Sequence, residues 1–189
     1  TNVQYAEGQV TSRAALTPEM KLTVKAVKKA VRFLKKQNAK KINGYYYGIV
    51  HPDCSYDLTE DARWIDAVKY KNPERIYNGE IGEIEGARFV ETTEAKIWAK
   101  AGAAKSTSDT TKIDVYGTLI FGANAYATTK IEGGGLKTII KQLGSAGTGD
   151  PLDQRATVGW KALKVTEILT EAYMIRIETA STFSDGEAN

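Results

Sequence analysis

The sequence predicts an α+β fold, with a long amphipathic helix near the beginning and a half-exposed strand near the end. The helix is indicated by apolar residues that recur at intervals of four and three: Met20, Val24, Val27, Val31 and Leu34. The strand is indicated by alternation, in which Tyr173, Ile175 and Ile177 face a core and Met174, Arg176 and Glu178 face water. The length of 189 residues limits the chain to one domain or two small ones.

The helix is predicted from about Thr17 to Ala39. Thr17 can cap it, and Pro18 occupies the first helical position, where a missing N–H costs nothing. At ~1.5 Å per residue the helix is about 35 Å long. Its narrow, valine-rich stripe predicts that it lies across a sheet, and Asn43-Gly44 then turns the chain. Residues 1–16 are expected to be a flexible remnant.

Basic residues are concentrated on this helix. Residues 17–41 contain nine lysines and arginines and one acid, Glu19, which gives a local charge of +8. The net charge is +3, so the rest of the chain sums to −5. Two interpretations stay open. The charges either coat a solvated helix face or form a basic surface that contacts an acidic neighbour.

The remaining elements follow from apolar runs and turn signals. Strands are predicted at Tyr45–Val50, Ala87–Glu91 and within Trp160–Ile168, and a second helix from about Ser55 to Tyr70. Val115–Ala127 is left undecided, and Leu136–Leu143 is either a strand or a helix. The loops at 77–86 and 99–111 are expected to be mobile, and the tail from Ser181 is expected to fray.

The composition excludes several classes of protein. Cys54 is the only cysteine, so no intrachain disulfide is possible, and this favours folding in a reducing cytosol. No apolar run approaches the ~20 residues that a membrane span needs, and we expect no signal peptide. The apolar fraction of 42% is enough for a globular core.

Candidate catalytic and metal-binding residues are few. A Ser-His-Asp triad would have to use His51, the only histidine, and its position at a strand end favours a structural role. One cysteine and one histidine are too few for a zinc site. Glu80, Glu83 and Glu85 could hold a cation or perform acid–base chemistry, but a solvated loop or a subunit contact is favoured.

Three further patterns have a functional and a structural interpretation. Gly133–Thr138 ends in Lys-Thr like a phosphate loop but lacks the required earlier glycine, so a glycine hinge is favoured. Asp57, Glu60 and Asp61 lie early in a predicted helix, where they suit the helix dipole. Tyr45–Tyr47 next to Lys40 and Lys41 could stack on single-stranded nucleic acid, although a core strand is favoured.

Several stretches together resemble one protein family. They are TPE (17–19), NAKKINGYY (38–46), VHPD (50–53), DARWIDA (61–67), IYNGEIG (76–82), RFVETT (88–93), GSAG (144–147), DPLDQR (150–155), VGWK (158–161) and RIE (176–178). Their shared order resembles the major capsid proteins related to the coat of podophage N-four, over about residues 16–181. Each motif is weak alone.

The resemblance implies the coat fold of phage Hong Kong ninety-seven, in which a long spine helix lies on a peripheral sheet and an axial domain points to the capsomer centre. Residues 17–42 and 158–181 would form the peripheral domain and 43–157 the axial domain. The family's N-terminal arm and extended loop should precede the spine helix. We therefore expect that they are missing upstream, and that this chain alone is a monomer or small oligomer.

The function implied is that of a major capsid protein, not an enzyme, with no catalytic, cofactor-binding or metal-binding residues. The subunit would be made in the bacterial cytoplasm and would assemble with copies of itself, in hexamers and pentamers, into an icosahedral virion shell. Packaged double-stranded DNA would be held without sequence specificity, and scaffolding and portal proteins are further partners to consider. The alternatives are an encapsulin-like nanocompartment shell protein and a basic nucleic-acid-binding module.

Overall fold

The structure is a computed structural model that describes residues 2–71, 82–129, 134–145, 149, 152 and 154–183. Two compact units are present, one formed by Thr1–Ala125 with Thr170–Asn189 and one by Tyr126–Leu169. Helices and strands are both present, as the α+β prediction requires. The division into a peripheral domain (17–42 and 158–181) and an axial domain (43–157) stays a prediction.

The helices are α1 (Val24–Lys36), α2 (Pro52–Thr59) and α3 (Ala62–Lys71). The strands are β1 (Asn2–Tyr5), β2 (Tyr46–Val50), β3 (Glu83–Ile84), β4 (Ala87–Glu91), β5 (Ile97–Trp98), β6 (Val115–Phe121), β7 (Tyr126–Thr128), β8 (Lys137–Lys141), β9 (Thr157–Lys161), β10 (Thr166–Ile168) and β11 (Met174–Thr179). The predicted strands at Tyr45–Val50 and Ala87–Glu91 are confirmed, and the undecided Val115–Ala127 contains β6.

One sheet organises the first unit, with the strand order β1-β11-β6-β2-β4-β3 among the described residues and β5 paired to β6. β6 is central and almost wholly buried, because it has neighbours on both edges and packing on both faces. β1 runs parallel to β11, and β2 runs parallel to β4. Strands from the two ends of the described chain therefore lie side by side.

α1 packs on this sheet as predicted. Val24, Val27 and Val31 are buried in one core cluster with Ile175 and Ile177 of β11. The Thr23 hydroxyl accepts the Ala26 N–H at 3.2 Å and so caps the helix. α1 contains 13 residues and is therefore about 20 Å long instead of the predicted 35 Å.

The predicted start of this helix at Thr17 and its end at Ala39 are both wrong. Thr17 begins a turn, in which the Met20 N–H donates to the Thr17 carbonyl at 3.0 Å. Leu22, which precedes the true cap, is buried in the core below α1. At the other end, Asn38 has a φ of +55° and ends the helix. The N–H groups of Asn38 and Ala39 close the last turn, as in a Schellman motif.

The helix predicted from Ser55 to Tyr70 is two helices, because Asp61 interrupts it. The Asp61 carboxylate accepts the Arg63 N–H at 2.9 Å, which caps α3, and the Val24 N–H at 2.9 Å, which lies at the start of α1. One side chain thus fixes the beginnings of two helices. α2 starts earlier than predicted, with Pro52 at its first position.

β11 does not have the predicted solvent-facing side. Met174 is buried in a second apolar cluster, and Glu178 is fully buried although it is charged. Glu178 is paired with two arginines: Arg13 Nε lies 2.7 Å from Oε2, and Arg176 Nε lies 2.8 Å from Oε1. The guanidinium groups of both arginines lie over the Trp98 ring. The alternation predicted that Glu178 would contact water, but its carboxylate instead pairs with Arg13, which is distant in sequence.

Residues 2–16 are more ordered than the expected flexible remnant. Asn2–Tyr5 forms the edge strand β1, and Leu16 is buried. The tail also differs from the prediction up to Phe183: Thr182 N–H donates to the Asp57 carboxylate at 3.0 Å, and the Phe183 ring lies edge-on to Tyr56. Residues 184–189 and 77–81 lie outside the described residues, so their predicted mobility is open.

Glu7 links this first segment to α1. Its carboxylate accepts a hydrogen bond from the Thr23 hydroxyl at 2.9 Å and pairs with Lys25 at 2.5 Å. The Lys25 hydrogen bond lowers the pKa of Glu7, with help from Thr23 and the charge of Lys29, and outweighs the effect of partial burial. Because the pKa of Glu7 is lower in the folded state, its ionised form stabilises the fold at pH values above the ordinary pKa of 4.5. This stabilisation is lost as the pH falls through the folded-state pKa.

We therefore predict that acid weakens the wild-type protein more than a Glu7→Gln variant. Urea midpoints measured between neutral pH and the acid range should converge as pH falls, because glutamine cannot titrate. Glu19→Gln, at an exposed position, is the control. Parallel pH curves for wild type and Glu7→Gln would contradict the prediction.

The second unit is a two-stranded antiparallel ribbon. β7 pairs with β10, and β8 pairs with β9. Between these ladders the Thr129 N–H donates to the Val165 carbonyl at 2.9 Å, and the Leu163 N–H donates to Gly134 at 2.8 Å. The open prediction for Leu136–Leu143 is thus decided as strand. Residues 126–129, 134–141 and 157–168 are called the ribbon below.

Candidate functional site

The exposed face of α1 carries only positive charge. Its six basic residues all lie opposite the buried stripe: Lys25, Lys28, Lys29, Arg32, Lys35 and Lys36. α1 itself contains no acid, although Lys25 pairs with Glu7 and Lys28 pairs with Glu85 at 2.9 Å. Like charges three or four residues apart on a helix cost about 0.2–0.5 kcal/mol per pair. Such a face lowers the stability of the helix and is typical of an anion-binding surface.

The ribbon carries most of the exposed large apolar side chains. Of the 15 such residues among the described ones, 12 lie within Tyr126–Leu169. Every residue of β8 and β9 is exposed. Because these strands are exposed, their apolar side chains do not form a core. An isolated two-stranded sheet of this kind is only marginally stable in water.

The pairing register sorts the residues of β8 and β9 into two unlike faces. Ile140 pairs with Val158 and Thr138 with Trp160, so these four share one face, and Leu136 continues it. Leu136, Val158 and Trp160 are each about three-quarters exposed, and Ile140 is 64% exposed. We call Leu136, Ile140, Val158 and Trp160 the apolar face.

The opposite face of the ribbon is basic. On this face Lys137 pairs with Lys161, Ile139 with Gly159, and Lys141 with Thr157. The three lysines keep this side hydrated, so the ribbon is amphipathic across its thickness. The apolar face was not predicted from the sequence, although Leu136 and Ile140 are each followed by a lysine. The alternation was visible, but it does not tell whether the apolar side is covered.

His51 and Cys54 have structural surroundings. His51 is buried at the start of α2, where its Nδ1 accepts the Asp53 N–H at 3.2 Å, and its ring lies against Tyr116. Cys54 is fully buried, and burial raises the pKa of its thiol far above the ordinary value. A thiol in that state is a poor nucleophile.

The acidic residues at the start of the predicted second helix line an open groove of about 430 Å³ beside Tyr56. Asp57 accepts hydrogen bonds from Thr182, and Asp61 caps α1 and α3. Glu60 is exposed beside them. Within the described residues, no group of three His, Cys, Asp or Glu side chains could hold a metal ion.

The other candidates are not brought together. Glu80 lies outside the described residues, Glu83 is on β3, and Glu85 pairs with Lys28. Of the Gly133–Thr138 stretch, Lys137 and Thr138 belong to β8, whereas a phosphate loop leads into a helix. The Tyr46 ring is buried, and its hydroxyl donates to the Ala39 carbonyl at 3.0 Å.

Comparison with known proteins decides the family. A family of proteins described as phage capsid protein matches residues 2–143, about three-quarters of the chain. The chain belongs to the phage capsid protein family. It is a bacteriophage coat protein and a structural component of the virion capsid. No curated protein matches it, and no helix among the described residues is long and apolar enough to cross a membrane.

The coat protein is also similar to solved capsids. The capsid of Ralstonia phage GP4 aligns with 100% of this chain at 16% identity and a TM-score of 0.68. The cyanophage Pam1 capsid aligns with 96% at 10% identity and a TM-score of 0.71, and the capsid of Helicobacter pylori bacteriophage KHP30 with 95% at 12% and 0.61. At these identities the likeness shows the fold. The chain spans 54%, 55% and 61% of those three proteins.

Proposed function

We propose that this coat protein builds the shell of a phage head by associating with other copies of itself in hexamers and pentamers. The observation that carries the proposal is the concentration of exposed large apolar side chains within Tyr126–Leu169, which holds 12 of the 15 among the described residues. A closed shell repeats one set of contacts many times, so each contact can be weak while the assembly is stable. Scaffolding and portal proteins belong to the same proposal.

The finer classification is also a proposal. We assign the chain to the podophage N-four coat family, with the fold of phage Hong Kong ninety-seven and a structural, non-catalytic role. The packing of α1 across β6 and β11 supports a helix-on-sheet peripheral domain. The capsid likeness over the whole length of the chain supports the same assignment.

The enclosed double-stranded DNA is the proposed partner of the basic face of α1. Phosphate contacts by lysine and arginine give affinity without sequence specificity, and they weaken linearly with the logarithm of salt concentration. Six basic side chains along one helix face, with no acid on the helix, are suited to this. A nucleic-acid-binding module would share this surface but would not need the ribbon's apolar face.

We predict that Arg32→Glu with Lys35→Glu weakens binding to duplex DNA and lowers the salt slope by about two units, because each lost phosphate contact removes ~0.9. Fluorescence anisotropy over a salt series measures this. The control carries the same change of charge at exposed lysines outside α1, Lys96→Glu with Lys112→Glu. If both double variants reduce the slope equally, binding follows net charge and α1 is not the site.

The function itself is tested on particles. Heads of the phage that encodes this chain would be purified by density gradient and their proteins quantified by mass spectrometry. We expect peptides from residues 2–143 to be the most abundant and to accompany DNA. Abundance in shells that enclose an enzyme instead of DNA would favour the encapsulin-like nanocompartment. Absence from particles would overturn the proposal.

A further inference from the structure

The exposed basic face of α1 consists of two halves with different surroundings. We call Lys25, Lys28 and Lys29 the first half, and Arg32, Lys35 and Lys36 the second half. The six positions follow one another at intervals of one or three residues, so all of them lie on one side of the helix. A polyanion laid along that side would meet both halves unless something occupies one of them.

Glu7 occupies part of the first half. One oxygen of its carboxylate lies 2.5 Å from Lys25 Nζ, and the other accepts the Thr23 hydroxyl at 2.9 Å. Lys29 Nζ donates a hydrogen bond to the backbone carbonyl of Glu7. Because these contacts lower the pKa of Glu7, its carboxylate stays ionised and paired at neutral pH. Glu7 thus binds α1 as an anion would.

Glu85 occupies the rest of the first half. Its Oε1 lies 2.9 Å from Lys28 Nζ. Glu85 has a φ of +54° in the tight turn between β3 and β4, so the edge of the sheet holds it in place. Every cation of the first half is therefore bound to an oxygen that comes from outside the helix.

The second half has no such partner. Arg32, Lys35 and Lys36 are exposed, and none of them makes an ion pair with another described residue. The apolar side of α1 is buried in the core, so this helix has no apolar face to insert into a lipid surface, as an interfacial helix needs. A purely cationic surface suits the phosphate backbone of duplex DNA.

We propose that Glu7 and Glu85 close the first half of the basic face to phosphate, so that packaged duplex DNA contacts the second half alone. This rests on the proposed DNA partner of α1 and specifies how much of the surface that partner uses. A phosphate that binds Lys25 leaves the carboxylate of Glu7 unpaired, so a cation is taken up for each one that the DNA releases. At the second half the released cation stays in solution, and this release is the source of affinity.

The experiment measures binding of the full chain to duplex DNA by fluorescence anisotropy over a salt series. Replacing both acids, Glu7→Gln with Glu85→Gln, should steepen the slope of log K against log salt by about two units, because each freed lysine adds ~0.9. The matched control, Glu94→Gln with Glu167→Gln, makes the same change of net charge at two exposed acids outside α1. It should leave the slope unchanged, and circular dichroism should show the wild-type fold in both variants.

A second step assigns the gain to the two lysines. Adding Lys25→Gln and Lys28→Gln to the first double variant should return the slope to the wild-type value. A slope that stays steep in this quadruple variant, or equal steepening in the control, overturns the proposal. Anionic phospholipid vesicles are the competing probe. If removal of the acids strengthens binding to vesicles but not to DNA, the surface serves lipid and the proposal is overturned.

The outcomes also separate this proposal from the proposed function. If Arg32→Glu with Lys35→Glu lowers the slope while removal of Glu7 and Glu85 has no effect, closure is overturned and the DNA contact stands. If the wild-type chain does not bind DNA but the variant without the two acids does, closure is supported and DNA contact by the native chain is overturned. Absence of binding in every variant overturns both.

Discussion

Replacing Val27 with aspartate should cost about 4 kcal/mol or more of unfolding free energy. Val27 is completely buried between α1 and the sheet, in a cluster that includes Ile175 and Ile177. The substitution removes apolar contacts and places a carboxylate inside this apolar cluster, and an unpaired buried charge is among the most destabilising changes known. Because domains of this size are stable by about 5–15 kcal/mol, this loss is a large share of the total stability.

Urea unfolding followed by circular dichroism measures this loss. Arg32→Asp is the matched control, because it places the same new residue in the middle of the same helix but on its exposed face. We expect the control to lose about 1 kcal/mol or less. Similar losses in both variants would mean that helix propensity, and not burial against the sheet, sets the effect.

The second large effect is expected at Glu178. Replacing it with methionine should cost about 2–4 kcal/mol, because the change removes the hydrogen bonds from Arg13 and Arg176 and leaves two like charges beside Trp98. The arginine side chains are each 30% exposed, so water can still hydrate their guanidinium groups in part. The loss of stability is therefore smaller than it would be for two fully buried cations. Glu167→Met, on the ribbon, is the exposed control.

A triple variant tests the origin of this cost. If methionine replaces Glu178, Arg13 and Arg176 together, no charge remains unpaired, and the loss should be smaller than the sum of the single losses. Thermal melts give the stabilities, and limited proteolysis between residues 6 and 16 reports whether the first segment has detached. Additive losses would show that packing, and not the paired charges, dominates.

The sequence predicted the features that depend on regular spacing. Val24, Val27 and Val31 recur every three or four residues, and this identified both the helix and its buried side. Tyr46–Val50 and Ala87–Glu91 were found because short apolar runs bounded by turns have few other structures. The turn at Asn43-Gly44 is formed with φ values of +50° and +88°, which these two residue types tolerate.

The errors arose where a local signal had a distant competitor. Thr17-Pro18 has the pattern of a helix start, but Thr23 provides the cap six residues later. Asp61 lies within a helical pattern, but its carboxylate caps a new helix and binds the start of α1. Glu178 alternates like a solvent-facing residue, and its partner Arg13 lies at the other end of the chain. The contacts of Asp61 with Val24 and of Glu178 with Arg13 join residues that are distant in sequence, so the spacing of neighbouring residues does not encode them.

The candidate surfaces were predicted to different extents. The basic charge of α1 was visible in the composition of residues 17–41, and the structure places six of its side chains on one face. The apolar face of the ribbon was not predicted, because an uncovered strand and a buried strand have the same apolar alternation. Only the exposure of Trp160 and Val158 separates the two cases.

The place of β11 between β1 and β6 sets the order in which the first unit can form during synthesis. Gln4 cannot form its parallel pairing with Ile177 before Ile177 has been synthesised. In the same way, α1 cannot pack on β11 until Met174–Thr179 has left the ribosome. Contacts between residues this distant in sequence form slowly, and an uncovered apolar stripe promotes aggregation in the meantime. We therefore expect the first unit to finish folding only after translation has passed β11. The rate at which β11 enters the sheet would then set how many coat subunits fold before they aggregate when a host cell makes them in quantity.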